Sequence, residues 1–265
     1  MMCKIKYSAL TYYPSFLLTD NTTIGVAFHN LSTNERRFEI TSNITRIANT
    51  YDELNPDILK IILHSIKESI CKDSSYSFNN TETSFDLYDF TKFYVNEFKF
   101  TPIVEVDVEN FDSFIDEAKK IYLRYDYSKE QRPSVGDEIK FLKHIISSKK
   151  NDCSSKPLFG EFNDQINFDY IINNEYAIKI FDFKNSTQKQ SISTARSWAL
   201  AAQEVTPMHK VVFIYSHDMD ILSENAKSKL KTALAILNKY SYKTLEISEG
   251  ASFISSITNN QLSVI

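Results

Sequence analysis

The sequence predicts an α+β protein in two parts, and three observations carry that expectation. β-rich runs at 4–13, 23–29 and 36–40 read as three antiparallel strands. Isoleucines 58, 61, 62, 66 and 70 recur at helical spacing behind Asn55-Pro56-Asp57, a helix-opening triplet. Beyond residue 134, helical patterns alternate with short apolar runs through to residue 247. With 265 residues and 42% hydrophobic content, the chain is long and apolar enough for two such parts.

The front part, 1–130, continues with a strand at 103–108 and a helix at 111–125, in the order β-β-β-α-β-α, an antiparallel sheet with helices. The polar segment 128–134, which contains Pro133, marks the boundary with the back part, 131–265. There, 135–147 reads as an amphipathic helix capped by Ser134, with Ile139, Leu142, Ile145 and Ile146 on one side. Strands at 157–162, 167–172 and 176–184 follow, the last two joined by a turn at Asn173-Asn174. A helix at 188–205, a strand at 210–215, a helix at 223–240 and a strand at 242–247 complete the order α-β-β-β-α-β-α-β.

Composition excludes several function classes. Four isolated glycines rule out a P-loop or a dinucleotide fingerprint, which need clustered glycines for backbone approach to phosphate. Three dispersed cysteines indicate neither a zinc knuckle nor a disulfide framework. No window reaches the roughly 20 apolar residues of a membrane span, and the N-terminus lacks an apolar leader, so the chain reads as cytoplasmic with no membrane partner. Residues 1–130 carry 14 Lys+Arg against 20 Asp+Glu, whereas 131–265 carry 16 against 14. Nucleic-acid surfaces need basic excess, so only the back part permits one.

The back part also carries the chemistry. Glu138 lies on the first helix, Asp169 at the start of the second strand, and Asp182-Phe183-Lys184 at the end of the third. Asp182 and Lys184 stand two apart and project to one face of a strand. Two carboxylates and a lysine at a strand edge suit Mg²⁺ or Mn²⁺, with a bound water as nucleophile on phosphorus. A two-residue turn at Asn173-Asn174 sets Asp169 opposite Ile178, four residues short of Asp182. Closing the site requires a longer connection, about 174–177, or a bend in the hairpin.

These residues resemble the PD-(D/E)XK nuclease superfamily over about 135–215. Its core is α-β-β-β-α-β, with a helix Glu, a second-strand Asp and a third-strand acid-x-Lys, and Glu138, Asp169, Asp182 and Lys184 fall on those positions in that order. Gln190 stands where some members carry a helix glutamine. The resemblance implies metal ligation by Asp169 and Asp182, a water-positioning Lys184 and an outer acid Glu138, with DNA or RNA as partner. It also implies a setting in phage defence, restriction or mobile-element biology. Glu161 is an alternative outer acid. The front part resembles, through Tyr7, Tyr12-Tyr13-Pro14 and Thr23-Ile24-Gly25-Val26, a bacterial domain family of unknown function.

Other readings stay open. Asp169 and Asp182 can be edge-strand charges, with Lys184 as an ion-pair partner, or the fold can be a non-catalytic module that binds a protein partner, such as an inhibitor or a component of a defence complex. The acidic net charge of −4 favours that last reading. The oligomeric state is open. Ser216-His217-Asp218-Met219-Asp220 looks like a metal cluster, but a strand-to-helix loop with an acidic helix start accounts for it. Trp198, and the aromatics Tyr12, Tyr13, Phe16, Tyr88, Phe90, Phe93 and Tyr94, can stack on bases or pack in a core.

Overall fold

Ten residues of β1 (Cys3–Tyr12) and nine of β2 (Thr22–Asn30) pair antiparallel and are buried over most of their length. The computed structural model describes residues 2–14, 21–51, 54–72, 85–148, 153–183, 188–216 and 224–259. Within them the chain divides into two compact units, Met1–Pro133 and Ser134–Ile265. The division falls inside the polar segment 128–134.

In the first unit β3 (Arg36–Ile40) extends the sheet beyond β2. The other edge of β1 is shared by β4 (Phe98–Phe100), level with its end, and β5 (Val104–Val108), level with its start. All pairings are antiparallel. The register slips between Leu10 and Thr11, where Ile24 is the extra residue of a bulge and turns into the core. On one face lies α2 (Pro56–Cys71), whose N-cap Asn55 accepts from the backbone N–H groups of Asp57 and Ile58, with Pro56 in the first turn. Its buried stripe is Leu59, Leu63, Ile66 and Ile70, whereas Ile58 and Ile61 face solvent. The expected isoleucine stripe is thus displaced by one residue at its start, because apolar residues occupy more of the helix circumference than one face can bury.

α4 (Phe111–Tyr122) is followed by a 3-10 turn at Arg124–Asp126, and Phe114 packs edge-on against Tyr7 and Phe28. Two short helices, α1 (Ile44–Thr50) and α3 (Leu87–Thr91), and strand β4 were not apparent from periodicity, being too short to show any. Most of the front aromatics serve the core: Tyr12 packs on Tyr51 and Phe98, and Phe90 and Tyr94 on Phe100. Tyr88 and Phe93 are exposed, and Phe16 lies outside the described residues, as does most of the polar run 72–83.

The second unit opens with α5 (Val135–Ser148). Ser134 Oγ and the Asp137 carboxylate cap each other's backbone N–H groups, at 3.2 and 2.9 Å. A five-stranded mixed sheet follows, in the spatial order β12-β11-β10-β9-β6, formed by β6 (Cys153–Ser154), β9 (Tyr170–Ile172), β10 (Tyr176–Asp182), β11 (Lys210–Ser216) and β12 (Lys243–Glu246). β10, β11 and β12 run parallel, and β9 is antiparallel to both of its neighbours. The strand expected at 157–162 is not part of this sheet. It contributes only β7 (Leu158–Phe159), which forms a separate two-stranded ribbon with β8 (Gln165–Ile166). The first sheet strand is instead β6, in a segment where no strand was expected.

Helices cover both faces of the mixed sheet. α6 (Gln188–Val205) and α7 (Glu224–Lys239) pack on the face carrying Ala177, Phe181, Val211 and Phe213, where Ala195, Ala202 and Ala233 permit close approach. α5 and α8 (Ile247–Asn259) pack together on the face of Ile178, Val212 and Ile214. α8 was missed, since its serines and Gly250 weaken helix propensity, although Ala251 and Ile254 hold the helical spacing of its buried side.

Two expectations test the first unit. A Cβ at Gly25 would stand 2.5 Å from Cζ of buried Phe38, so Gly25→Ala should destabilise by about 1–3 kcal/mol in urea denaturation. His29 is buried, and that burial, opposed by a hydrogen bond to Asn34 but reinforced by Arg36 and Lys6, holds its pKa below 6.5. The unfolded chain therefore takes up the proton first, and stability complete above pH 6.5 is lost as pH falls below it. The melting temperature should drop as pH falls below 6.5, with a shallower slope in His29→Gln.

Candidate functional site at the carboxyl ends of the parallel strands

β10 and β11 are buried on both faces and consist of near-continuous apolar runs, the pattern of central parallel strands. Their register places Asp182 beside Ser216 at the carboxyl end of the ladder, and the Phe183 N–H continues it by donating to the Ser216 carbonyl at 3.2 Å. Register partners in a ladder project to the same face, so Asp182 and Ser216 both turn toward the α5 side. There the buried Ser216 hydroxyl donates to Glu138 Oε2 at 3.1 Å. Glu138, bonded to Ser216, and Asp182, the register partner of Ser216, thus lie at the same end of the sheet although 44 positions apart in the chain.

Asp169 is placed differently. Asn173 and Asn174 both have positive φ, 54° and 52°, and Glu175 N–H closes the turn onto the Ile172 carbonyl. Tyr176 then pairs with Ile172, so Glu175 is an added residue and the connection spans 173–175. The ladder ends at the Tyr170–Ile178 pair, and the Asp169 N–H donates to the Ile178 carbonyl at 2.9 Å, so Asp169 stays beside Ile178, where a two-residue turn sets it. Four residues, about 13 Å along the strand, separate Ile178 from Asp182. The carboxylate closes part of that gap, since Oδ2 accepts from Ile180 N–H at 2.8 Å and from Lys179 Nζ at 3.3 Å. β9 begins only at Tyr170, so the Asp169 side chain caps a ladder N–H that its own strand leaves unpaired.

Lys179 was not singled out from the sequence. Its Nζ also lies 4.6 Å from the centroid of Trp198, which packs edge-on against Phe168 and Phe181. Trp198 is therefore part of the core with one face under a cation. The signal for Lys179 was present: a lysine inside an apolar strand needs a carboxylate, and Asp169 was the nearest on the partner strand. Ser216 could be found only by aligning β10 with β11.

Lys184 lies outside the described residues, as do His217, Asp218, Met219, Asp220 and the side chain of Gln190. Glu161 is exposed in the β7–β8 connection. Among the described residues no group of three or more His, Cys, Asp or Glu side chains is gathered closely enough to hold a metal ion. The donor type nevertheless suits a hard cation, because Glu138, Asp169 and Asp182 offer only carboxylate oxygen. The hydrogen bonds on Glu138 Oε2 and Asp169 Oδ2 are the orienting contacts that ligating carboxylates carry.

Comparison with protein families, with curated proteins and with solved structures finds no match. No helix among the described residues is long and apolar enough to cross a membrane.

The Asp169 contacts predict a stability role separable from chemistry. Asp169→Ala removes a charge-assisted bond to Ile180 N–H and the partner of Lys179, and should cost about 2 kcal/mol in urea denaturation.

Proposed function

We propose that the 134–265 unit is a metal-dependent phosphodiesterase of the PD-(D/E)XK type, acting on DNA or RNA. The observation that carries this reading is the Asp182–Ser216–Glu138 cluster, which joins the helix acid to the third-strand acid at the carboxyl end of parallel strands, where open α/β sheets bind ligands. With the separate β7–β8 ribbon set aside, the order α5-β6-β9-β10-α6-β11 supports it, being the α-β-β-β-α-β order of the resemblance.

Asp182 and Asp169 would hold Mg²⁺ or Mn²⁺, whose chemistry is to lower the pKa of a bound water and to stabilise charge on phosphate oxygens. The Ile180 N–H fixes the orientation of the Asp169 carboxylate. The Ser216 hydroxyl fixes Glu138 as an outer acid that accepts a proton from the attacking water or orients it. The role of Lys184, positioning that water, rests on its spacing from Asp182. Phage defence, restriction or mobile-element biology is the setting that goes with this reading, by association alone.

A second reading has its own observation. Lys179 already neutralises Asp169, which suits a nuclease-type scaffold that binds a protein partner without cleaving. One assay separates the two. The full chain is incubated with Mg²⁺ or Mn²⁺ and labelled single-stranded DNA, duplex DNA or RNA, with EDTA as control. Cleavage that falls at least about a hundredfold in Asp182→Asn, with an unchanged melting temperature, is the expected result. Cleavage by Asp182→Asn at the wild-type rate would remove this site from the mechanism. No cleavage of any substrate by the wild type favours the scaffold.

A further inference from the structure

The opposite end of the same sheet carries a different set of residues. β10, β11 and β12 start at Tyr176, Lys210 and Lys243, with Tyr176 and Lys210 in register. Tyr242 precedes β12 and is held there by its N–H, which donates to the Val211 carbonyl at 2.8 Å. Its ring meets Tyr176 at 6.2 Å between centroids, and Tyr176 meets Phe253 at 5.8 Å. Lysines surround these rings: Lys210 Nζ lies 5.3 Å from the centroids of both Tyr176 and Tyr242, and Lys243 Nζ lies 4.9 Å from Phe253. Lys239 Nζ lies 5.2 Å from Tyr240.

Between the end of α6 and the start of β12 this end of the unit opens into a cavity of about 540 Å³, lined by Gln203, Thr206, Lys210, Lys239, Tyr240 and Tyr242 among others. That volume lies within the range of about 300–1,000 Å³ typical of ligand sites. None of the lining residues is acidic. Lys210 is paired with Glu175 at 2.6 Å, but among the described residues no carboxylate lies within ion-pair distance of Lys239 or Lys243. Tyr242 keeps 52% of its surface exposed despite its packed neighbours.

We infer that this groove binds a single-stranded nucleic-acid segment, with a base stacked on Tyr242 and phosphates held by Lys239, Lys210 and Lys243. A half-exposed aromatic ring fixed between ammonium groups, with Lys210 and Lys243 Nζ 5.3 and 5.9 Å from the Tyr242 centroid, is the combination that single strands require, since every base offers a π-face and every linkage a negative charge. Gln203, Thr206 and the tyrosine hydroxyls add uncharged hydrogen-bonding groups beside them. The groove is separate from the carboxylate cluster: Tyr176 and Asp182 are the two ends of β10, about 20 Å apart at roughly 3.3 Å per residue. The assignment rests on the nucleic-acid reading of the unit but not on cleavage.

The test is fluorescence anisotropy of a labelled oligothymidylate of about 16 nucleotides, in EDTA, with the full chain. The wild type should bind with an affinity that falls as salt rises. Lys239→Glu/Lys243→Glu should weaken binding by at least about tenfold and reduce the salt slope by about 1.4. Tyr242→Ala should weaken it at least about fivefold, and Tyr242→Phe should restore it. Circular dichroism melting checks that each variant is folded. Folded variants binding as tightly as wild type would overturn the assignment, as would the absence of salt-dependent binding in the wild type. Polyglutamate displacing the oligonucleotide at equal concentration would overturn it too, in favour of an acidic protein partner. Binding without metal-dependent cleavage would sink only the catalytic reading. Cleavage with unaltered binding in the groove variants would sink only the groove.

Discussion

The parallel ladder between β10 and β11 is the constraint on which the second unit depends. Seven consecutive register pairs, from Tyr176–Lys210 to Asp182–Ser216, lock two strands that are buried on both faces. A slip of one residue would turn Phe181 and Phe213 from the α6–α7 side to the α5–α8 side and expose their cavities. Because the apolar pairs forbid that slip, the polar pair at the end is fixed as well. Asp182 can stand beside Ser216, and through it beside Glu138, only because Ala177, Ile178, Phe181 and their partners are already committed. The same ladder sets the other end, where Tyr176 and Lys210 meet.

Asp169 shows how one carboxylate answers two demands. β9 is three residues long, shorter than the β10 segment beside it, so Ile180 N–H would have no ladder acceptor. A carboxylate supplies one, and a charge-assisted bond of this kind stabilises by about 1.5–3 kcal/mol, more than a neutral bond. Lys179 in turn would be a cation on a largely buried strand without Asp169. Both contacts fall on Oδ2. The carboxylate is therefore oriented by the fold itself, a preorganisation that metal ligands need and that a purely structural cap also satisfies.

In the first unit the physics is that of an antiparallel sheet with helices on both faces. Tyr7, Phe28 and Phe114 fill one side, and Leu10, Phe38, Leu59 and Leu63 the other. Gly25 is required where the Phe38 ring crosses β2, and the bulge at Ile24 gives the core an extra aliphatic side chain that strict alternation would have placed elsewhere. Most of the aromatic residues that invite a stacking interpretation in sequence are spent on this packing, since buried rings contribute more through area than an exposed platform does.

What the sequence determined by itself was the local part of the answer. The Asn55-Pro56 cap, the Ser134 cap, the long strands and helices of both units and the division near residue 133 follow from capping chemistry, periodicity and polar punctuation, which act over a few residues. So did the order of Glu138, Asp169 and Asp182 along alternating elements. Tertiary structure decided what depends on distant partners. It moved the first sheet strand from 157–162 to Cys153–Ser154, because two residues have no readable period and gain strand geometry only from pairing with β9. It added α8, whose weak propensity is overcome by packing Gly250 onto Ile214. It gave Asp169 to Lys179, because the Asp169 backbone stays beside Ile178 while its carboxylate reaches past the end of β9 to the Ile180 N–H and the Lys179 ammonium. It also brought Ser216 between Asp182 and Glu138, because only the aligned ladder makes the end of β11 a neighbour of the end of β10.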